Sequence, residues 1–178
     1  GASRADIIIV SKTPTIFSPL DRRFLTNKLN PKPYQKIYFS YTNYGDLVSL
    51  KTGKASPFDK EYYFERDFAV LLITGIANSS NMVYYLENKT KEVRHIAFAD
   101  HYKYGEKDLE QIKNLFDNIA SQNKIIITTE KDAMRFAMPE LKEITDTLPI
   151  FYLPIEIKFH GQDEVTFNQH IISYVKQN

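Results

Sequence analysis

An aspartate and a histidine stand side by side at Asp100 and His101, and this pair is the sharpest chemical signal in the sequence. A carboxylate can orient an imidazole, and the two together can move a proton near neutral pH. The alternative is structural: Asp100 caps the following turn and His101 is a partly exposed surface residue. A single Asp-His dipeptide is a weak motif, so residue identity alone leaves both interpretations open.

A second polar segment covers residues 128–133 and precedes a predicted helix. Backbone N–H groups at a helix start, together with Lys131, could hold a phosphate or another anion. The alternative is a capping box in which Thr129 is the N-cap and Asp132 returns a hydrogen bond, a contribution of about 1 kcal/mol. The carboxylates of Glu130 and Asp132 would repel an anion there, but both functions can coexist. These four residues are therefore candidates for phosphate or substrate binding.

A third segment, residues 74–78, contributes Gly75 and Asn78 as further candidates for substrate binding. It resembles half of a dinucleotide-binding fingerprint but lacks the second and third glycines, so a nucleotide site of that type is poorly supported. The simpler interpretation is that Gly75 permits a tight turn from a strand into a helix, with Asn78 close to the helix start.

Each of these segments follows a predicted strand. Apolar, β-branched runs at residues 68–74, 93–98 and 124–128 are typical of buried strands, and apolar residues recur at helical spacing after residue 105. Alternating strands and helices predict an α/β fold with a mainly parallel sheet and helices on both faces, a three-layer α/β/α arrangement. Loops at the carboxyl ends of parallel strands share one edge, so we expect the three segments to form a single site.

The flanking regions predict further elements and a domain boundary. Residues 5–12 form a buried-type strand, and residues 150–159 a last strand that Pro154 pushes towards a sheet edge. An aromatic and β-branched run at residues 35–44 and a largely apolar run at residues 47–50 predict a β-hairpin linker. We assign residues 1–3 to a cloning scar, 4–55 to a strand, a helix and the hairpin, and 56–178 to a carboxyl-terminal α/β domain.

Composition excludes several classes of protein. The chain has 178 residues, 43% of them hydrophobic and 25% charged, which is typical of a soluble globular domain. A net charge of +1 gives no electrostatic reason to expect a nucleic-acid partner, and the absence of cysteine excludes disulfides and thiolate metal sites. No Walker phosphate-binding loop, Gly-x-Ser-x-Gly motif or His-x-x-x-His zinc pair occurs, so no complete catalytic machine and no metal site is visible.

Taken together and in order, these segments resemble the carboxyl-terminal part of the tetraacyldisaccharide 4′-kinase family, the lipid A kinases of Gram-negative bacteria. The order and spacing of the Phe-x-Asp-His and Thr-Glu-Lys-Asp-Ala segments carry most of the resemblance, and the aromatic- and lysine-rich character indicates a Bacteroidetes-like source. The matching segments are residues 4–12, 74–78, 98–101, 128–133 and 153–155.

The resemblance implies a transferase that moves the γ-phosphate of ATP, with Mg²⁺, to the 4′-hydroxyl of a tetraacylated disaccharide 1-phosphate in lipid A and lipopolysaccharide biosynthesis. It implies a second, amino-terminal P-loop domain that binds the nucleotide and the metal, and a place at the cytoplasmic face of the bacterial inner membrane. Without that domain we expect this chain to bind neither ATP nor Mg²⁺ and to be inactive.

By the same resemblance, His101 pairs with an acidic residue of the other domain and helps deprotonate the 4′-hydroxyl, while Asp100 positions the loop or His101. Two other functions stay open. A metal-dependent phosphoesterase would use Asp100 and His101 as ligands, and a non-catalytic binding or regulatory module would hold a partner or a small anion with its strand-end loops.

Overall fold

The computed structural model of the protein describes residues 2–177, which divide into two compact units. The first unit contains the residues up to Tyr44 together with those from Ile155 onward, and the second spans residues 45–154. This division differs from the predicted boundary between residues 55 and 56 in two ways. The second unit already begins at Gly45, and the residues from Ile155 onward return to the first unit. The predicted cloning scar includes Gly1, which lies outside the described residues, while Ala2–Arg4 form a 3₁₀ turn.

The second unit is built on a mainly parallel sheet of five strands: β3 (Val48–Ser49), β4 (Ala69–Thr74), β5 (Glu92–Ala97), β6 (Lys124–Thr129) and β7 (Ile150–Leu153). Their order is β3-β7-β6-β4-β5, in which β3 runs antiparallel to β7 and the other pairings are parallel. Leu71 and Leu72 are neighbours on the interior strand β4; they point to opposite faces and are 1% and 0% exposed, so both faces are covered. The predicted α/β class is therefore confirmed. The helices of this unit are α2 (Lys60–Glu65), α3 (Ser80–Glu87), α4 (Glu106–Asp117), α5 (Glu130–Phe136) and α6 (Lys142–Thr145).

The strand order places helices on both sides of this sheet. The chain passes from β4 through α3 to β5 in one direction and from β5 through α4 back to β6 in the other, so right-handed crossovers put α3 and α4 on opposite faces. The apolar residues that recur at helical spacing after residue 105 lie on α4, where Leu109, Ile112 and Phe116 are buried in one cluster with Leu71 and Ile126. The core thus fixes both the sheet and the loops at its carboxyl edge.

The first unit contains a sheet of three strands, β1 (Ile7–Val10), β2 (Lys36–Tyr44) and β8 (Ile155–Phe159). Their order is β1-β2-β8, in which β1 runs parallel and β8 antiparallel to β2. A bidentate ion pair joins its helices: the Arg22 guanidinium donates to both carboxylate oxygens of Asp163 at 3.1 and 2.8 Å. Asp163 also accepts the backbone N–H of Phe39 at 2.9 Å, which ties the helix pair to the sheet. The helices of this unit are α1 (Pro19–Leu29), which carries Arg22, and α7 (Asp163–Gln177), which begins at Asp163.

The predicted β-hairpin over residues 35–50 is wrong. β2 already has β1 on one edge and β8 on the other, so neither edge is left for β3. β3 instead pairs with β7, with Val48 opposite Tyr152 and Ser49 opposite Phe151. The aromatic character of the segment reflects burial, since Tyr38 and Phe39 are 6% and 1% exposed.

The predicted last strand over residues 150–159 is divided at Pro154 into β7 and β8, which enter different sheets. Proline has no N–H to donate to a ladder, so pairing is interrupted where it stands. Only the part after Pro154 lies at a sheet edge, because β7 lies between β3 and β6. The Pro154 carbonyl accepts the N–H of Gly45 at 3.0 Å.

Candidate active site

The three loops predicted to share an edge do meet at the carboxyl ends of β4, β5 and β6. The His101 backbone N–H donates to the Gly75 carbonyl at 3.2 Å, and the Gly75 N–H donates to Asp132 Oδ2 at 2.8 Å. Lys131 Nζ lies 3.6 Å from Asp100 Oδ1. These contacts confirm the prediction that the three loops lie together at one edge of the sheet.

His101 presents its ring to solvent at the centre of this edge, with 72% of the side chain exposed. Its backbone is left-handed, with φ at +59°, a conformation uncommon outside glycine but tolerated by histidine. Asp100 Oδ1 accepts the His101 N–H at 3.0 Å, and Asp100 Oδ2 lies 3.7 Å from His101 Nε2. Asp100 therefore both caps the turn and faces the imidazole, so the two interpretations of this pair are compatible.

Two cations from α5 flank the ring. Lys131 Nζ lies 3.4 Å from His101 Nε2, and Arg135 Nη2 lies 3.4 Å from His101 Nδ1. The sequence interpretation included Lys131 but missed Arg135. The available signal was spacing, because residues four apart on a helix share a face.

Asp132 is a structural residue of the site. Its side chain is fully buried and accepts the Thr129 hydroxyl at 2.8 Å, the Gly75 N–H at 2.8 Å and Arg135 Nη1 at 2.7 Å. Thr129 is the N-cap of α5 and accepts the Asp132 N–H at 3.1 Å, so the capping interpretation is correct for Thr129. The Asp132 carboxylate in turn accepts hydrogen bonds from the Thr129 hydroxyl and from the Gly75 N–H of another loop, instead of from the N-cap backbone.

The remaining candidates lie at the margin. Glu130 is exposed at the first position of α5. Asn78 is also exposed, and its Oδ1 accepts the N–H of Ser80 at 3.0 Å at the start of α3. Within residues 2–177, no hydrogen bond joins Asn78 to the His101 loop or to α5. Roles for these residues in binding phosphate or substrate stay predictions.

Tyr104 packs beneath the site against Gly75. Its hydroxyl is buried and has no hydrogen-bond partner among the described residues. Burial, reinforced by the nearby Asp132 carboxylate, raises the pKa of Tyr104 well above its ordinary value, so the phenol is neutral. The absence of a side chain at Gly75 makes room for this hydroxyl.

Replacing Gly75 by alanine is expected to destabilise the protein by about 1–3 kcal/mol, the usual cost of overpacking. The added Cβ would lie 2.6 Å from Tyr104 Oη and 3.0 Å from Asp132 Oδ1. The measurement is urea unfolding of Gly75→Ala, Tyr104→Phe and the double variant. Removing the hydroxyl leaves Tyr104 Cζ at 3.4 Å as the nearest ring atom, so Tyr104→Phe should recover part of the loss. Strict additivity of the two substitutions would contradict this account.

In the part of the chain that the structure describes, no group of three or more His, Asp or Glu side chains is arranged to hold a metal ion. The fold and the site together define an α/β domain with an exposed imidazole, flanked by cations, at the carboxyl edge of a parallel sheet.

Comparison with known proteins shows the family. The family model for tetraacyldisaccharide-1-P 4′-kinase matches residues 1–176, and the chain belongs to this family. A tetraacyldisaccharide 4′-kinase from Bacteroides fragilis is 37% identical over 181 residues, covering 100% of this chain and 48% of that protein. The kinase from Phocaeicola vulgatus is 36% identical over 178 residues, with the same coverage of 100% and 48%.

A solved structure, described as the "apo" form of LpxK from Aquifex aeolicus in complex with ATP, is 16% identical with a TM-score of 0.47. The match covers 93% of this chain and 51% of that one. The chain therefore spans about half the length (48%) of the curated relatives it matches.

Proposed function

We propose that this chain is the carboxyl-terminal half of a kinase that transfers the γ-phosphate of ATP to the 4′-hydroxyl of tetraacyldisaccharide 1-phosphate in lipid A biosynthesis. Family membership across residues 1–176 supports the reaction class. The observation that carries the proposal within this chain is the exposed His101, held at a sheet edge by contacts from two other loops. Family membership also favours a kinase over the phosphoesterase and the non-catalytic module.

His101 is the group of this chain that acts on a proton. Its exposed ring can hydrogen-bond a carboxylate supplied by the other half of the enzyme, which then takes the proton of the 4′-hydroxyl. Asp100 holds the loop through the His101 N–H. Lys131 and Arg135 place positive charge beside the ring, which suits a reaction whose catalysis is mostly positioning and charge neutralisation.

ATP and Mg²⁺ are assigned to the other half. The sequence of this chain has no phosphate-binding loop, and the described residues offer no carboxylate cluster suited to Mg²⁺. The residues present in this chain therefore do not fit either group. The chain alone is expected to be inactive.

The first unit carries a surface that suits the other half as its partner. β1 has the continuous Ile-Ile-Ile-Val sequence of a buried strand, yet Ile9 is 46% exposed and β1 lies at a sheet edge. Beside it in sequence, Ile16, Leu20 and Phe24 are 92%, 77% and 67% exposed. An amino-terminal P-loop domain packed on these residues would bury them.

We place the complete enzyme at the cytoplasmic face of the bacterial inner membrane, because a substrate with four acyl chains resides in a bilayer. Among residues 2–177, no helix combines the length and apolar character needed to span one.

The test is phosphate transfer by the complete natural protein that contains this chain. With γ-labelled ATP, Mg²⁺ and tetraacyldisaccharide 1-phosphate in mixed micelles, we expect label on the 4′-oxygen. The same lipid with its 4′-hydroxyl blocked is the control and should remain unlabelled. Transfer to the blocked lipid, or failure to label the free one, would refute the proposed function.

A further inference from the structure

The two cations beside His101 cannot both be hydrogen-bonded to a neutral imidazole. Lys131 Nζ approaches Nε2 and Arg135 Nη2 approaches Nδ1, each at 3.4 Å. Lysine and arginine only donate, whereas a neutral imidazole has one acceptor nitrogen and carries its proton on the other. The tautomer of His101 therefore depends on which of the two cations donates a hydrogen bond to the unprotonated ring nitrogen.

Arg135 is held in place more firmly than Lys131. Its Nη1 donates to Asp132 Oδ1 at 2.7 Å and to the Gly75 carbonyl at 3.1 Å, and the side chain is only 19% exposed. The guanidinium is planar, so fixing Nη1 also fixes the direction of Nη2. Lys131 is 49% exposed on a flexible stem.

The position of the Asp100 carboxylate, beside Nε2 of the ring, also favours Arg135 as the donor to Nδ1. Asp100 Oδ2 lies 3.7 Å from His101 Nε2, so a proton on Nε2 faces a carboxylate. Asp100 Oδ1, 3.6 Å from Lys131 Nζ, gives that ammonium a partner other than the imidazole.

We propose that Arg135 is a positioning residue that fixes His101 as the neutral tautomer with Nδ1 as acceptor and Nε2 protonated. The Asp132 carboxylate and the Gly75 carbonyl hold the guanidinium, and the guanidinium orients the imidazole. The role of this tautomer in catalysis rests on the proposed function. In that reaction the Nε2–H of His101 is the group that donates a hydrogen bond to the carboxylate of the other half.

Arg135→Lys separates this role from a structural one. A lysine ammonium can still pair with buried Asp132, so the free energy of unfolding should stay near that of the wild type. It has no second arm to reach His101 Nδ1, so the tautomer preference should be lost. Lys131→Met is the matched control and should keep the wild-type tautomer.

The readout is ¹⁵N NMR of the complete protein labelled with ¹⁵N-histidine, at a pH where histidine is neutral, with His101 assigned by the loss of its signals in His101→Asn. We expect protonated Nε2 in the wild type and a mixture of tautomers in Arg135→Lys. A wild-type ring protonated on Nδ1, an unchanged tautomer in Arg135→Lys, or a shift caused by Lys131→Met would each overturn the proposal. The wild-type spectrum decides even if a variant fails to fold.

Kinetics then connect the tautomer to the reaction. Arg135→Lys is expected to lower kcat about tenfold, the equivalent of one hydrogen bond, with little change in KM. If His101→Asn leaves kcat unchanged, the proposed function of His101 fails, while the tautomer assignment is still judged by NMR alone.

Discussion

Replacing His101 by asparagine in the complete enzyme is expected to lower kcat by roughly 10²–10⁴-fold, the usual contribution of a group that assists proton transfer. Asparagine is chosen because it tolerates the left-handed backbone at this position, where φ is +59°. The asparagine amide cannot exchange a proton as imidazole does. A decrease in kcat would therefore show that His101 takes part in the chemical step. The measurement is steady-state phosphate transfer to the lipid acceptor; His101→Ala should give a loss of the same order.

Two controls make the result specific. The free energy of unfolding of His101→Asn should match the wild type, because the ring is 72% exposed and contributes little to packing. Lys103→Ala alters an exposed residue of the same loop and should leave kcat unchanged. Near-normal turnover in a folded His101→Asn enzyme would exclude His101 from the reaction.

Asp132→Ala is expected to destabilise the protein by about 3–5 kcal/mol, because removing one partner of a buried ion pair leaves the other charge uncompensated. The substitution would also leave the Gly75 N–H and the Thr129 hydroxyl without their acceptor. Asp132→Asn keeps one carbonyl oxygen and should cost less. The measurement is the free energy of unfolding in urea.

Glu130→Ala is the matched control for this experiment. It removes a carboxylate from the same turn of α5, but an exposed one, so its cost should stay below about 1 kcal/mol. Equal losses in the two alanine variants would show that the buried network around Asp132 does not stabilise the loops.

Local sequence was sufficient to predict the sheet edge. β4 and β6 each contain a continuous apolar run, and Leu109, Ile112 and Phe116 repeat at helical spacing, so these patterns indicate strands, helices and their order. Parallel pairing then brings Gly75 and His101 to one edge. Family membership agrees with the functional interpretation drawn from the same segments.

Long-range pairing and burial were not predictable in this way. β8, one of the two partners of β2, lies more than a hundred residues away in sequence. Nothing in residues 35–50 shows that β8 pairs with the edge of β2 that a hairpin partner would need. The burial of Asp132 was equally hidden, because an N-terminal Asp in a helix usually caps at the surface. Its link to Gly75 exists only once β4 and β6 are adjacent.

The chain enters the second unit at Gly45 and leaves it at Pro154, and the N–H of the first donates to the carbonyl of the second at 3.0 Å. A segment whose ends already adjoin can be carried as an insert within a host domain at little cost in loop-closure entropy. Residues 45–154 therefore have the arrangement of an inserted domain. A short linker between those ends would yield a circular domain that keeps the whole His101 network on one covalent ring.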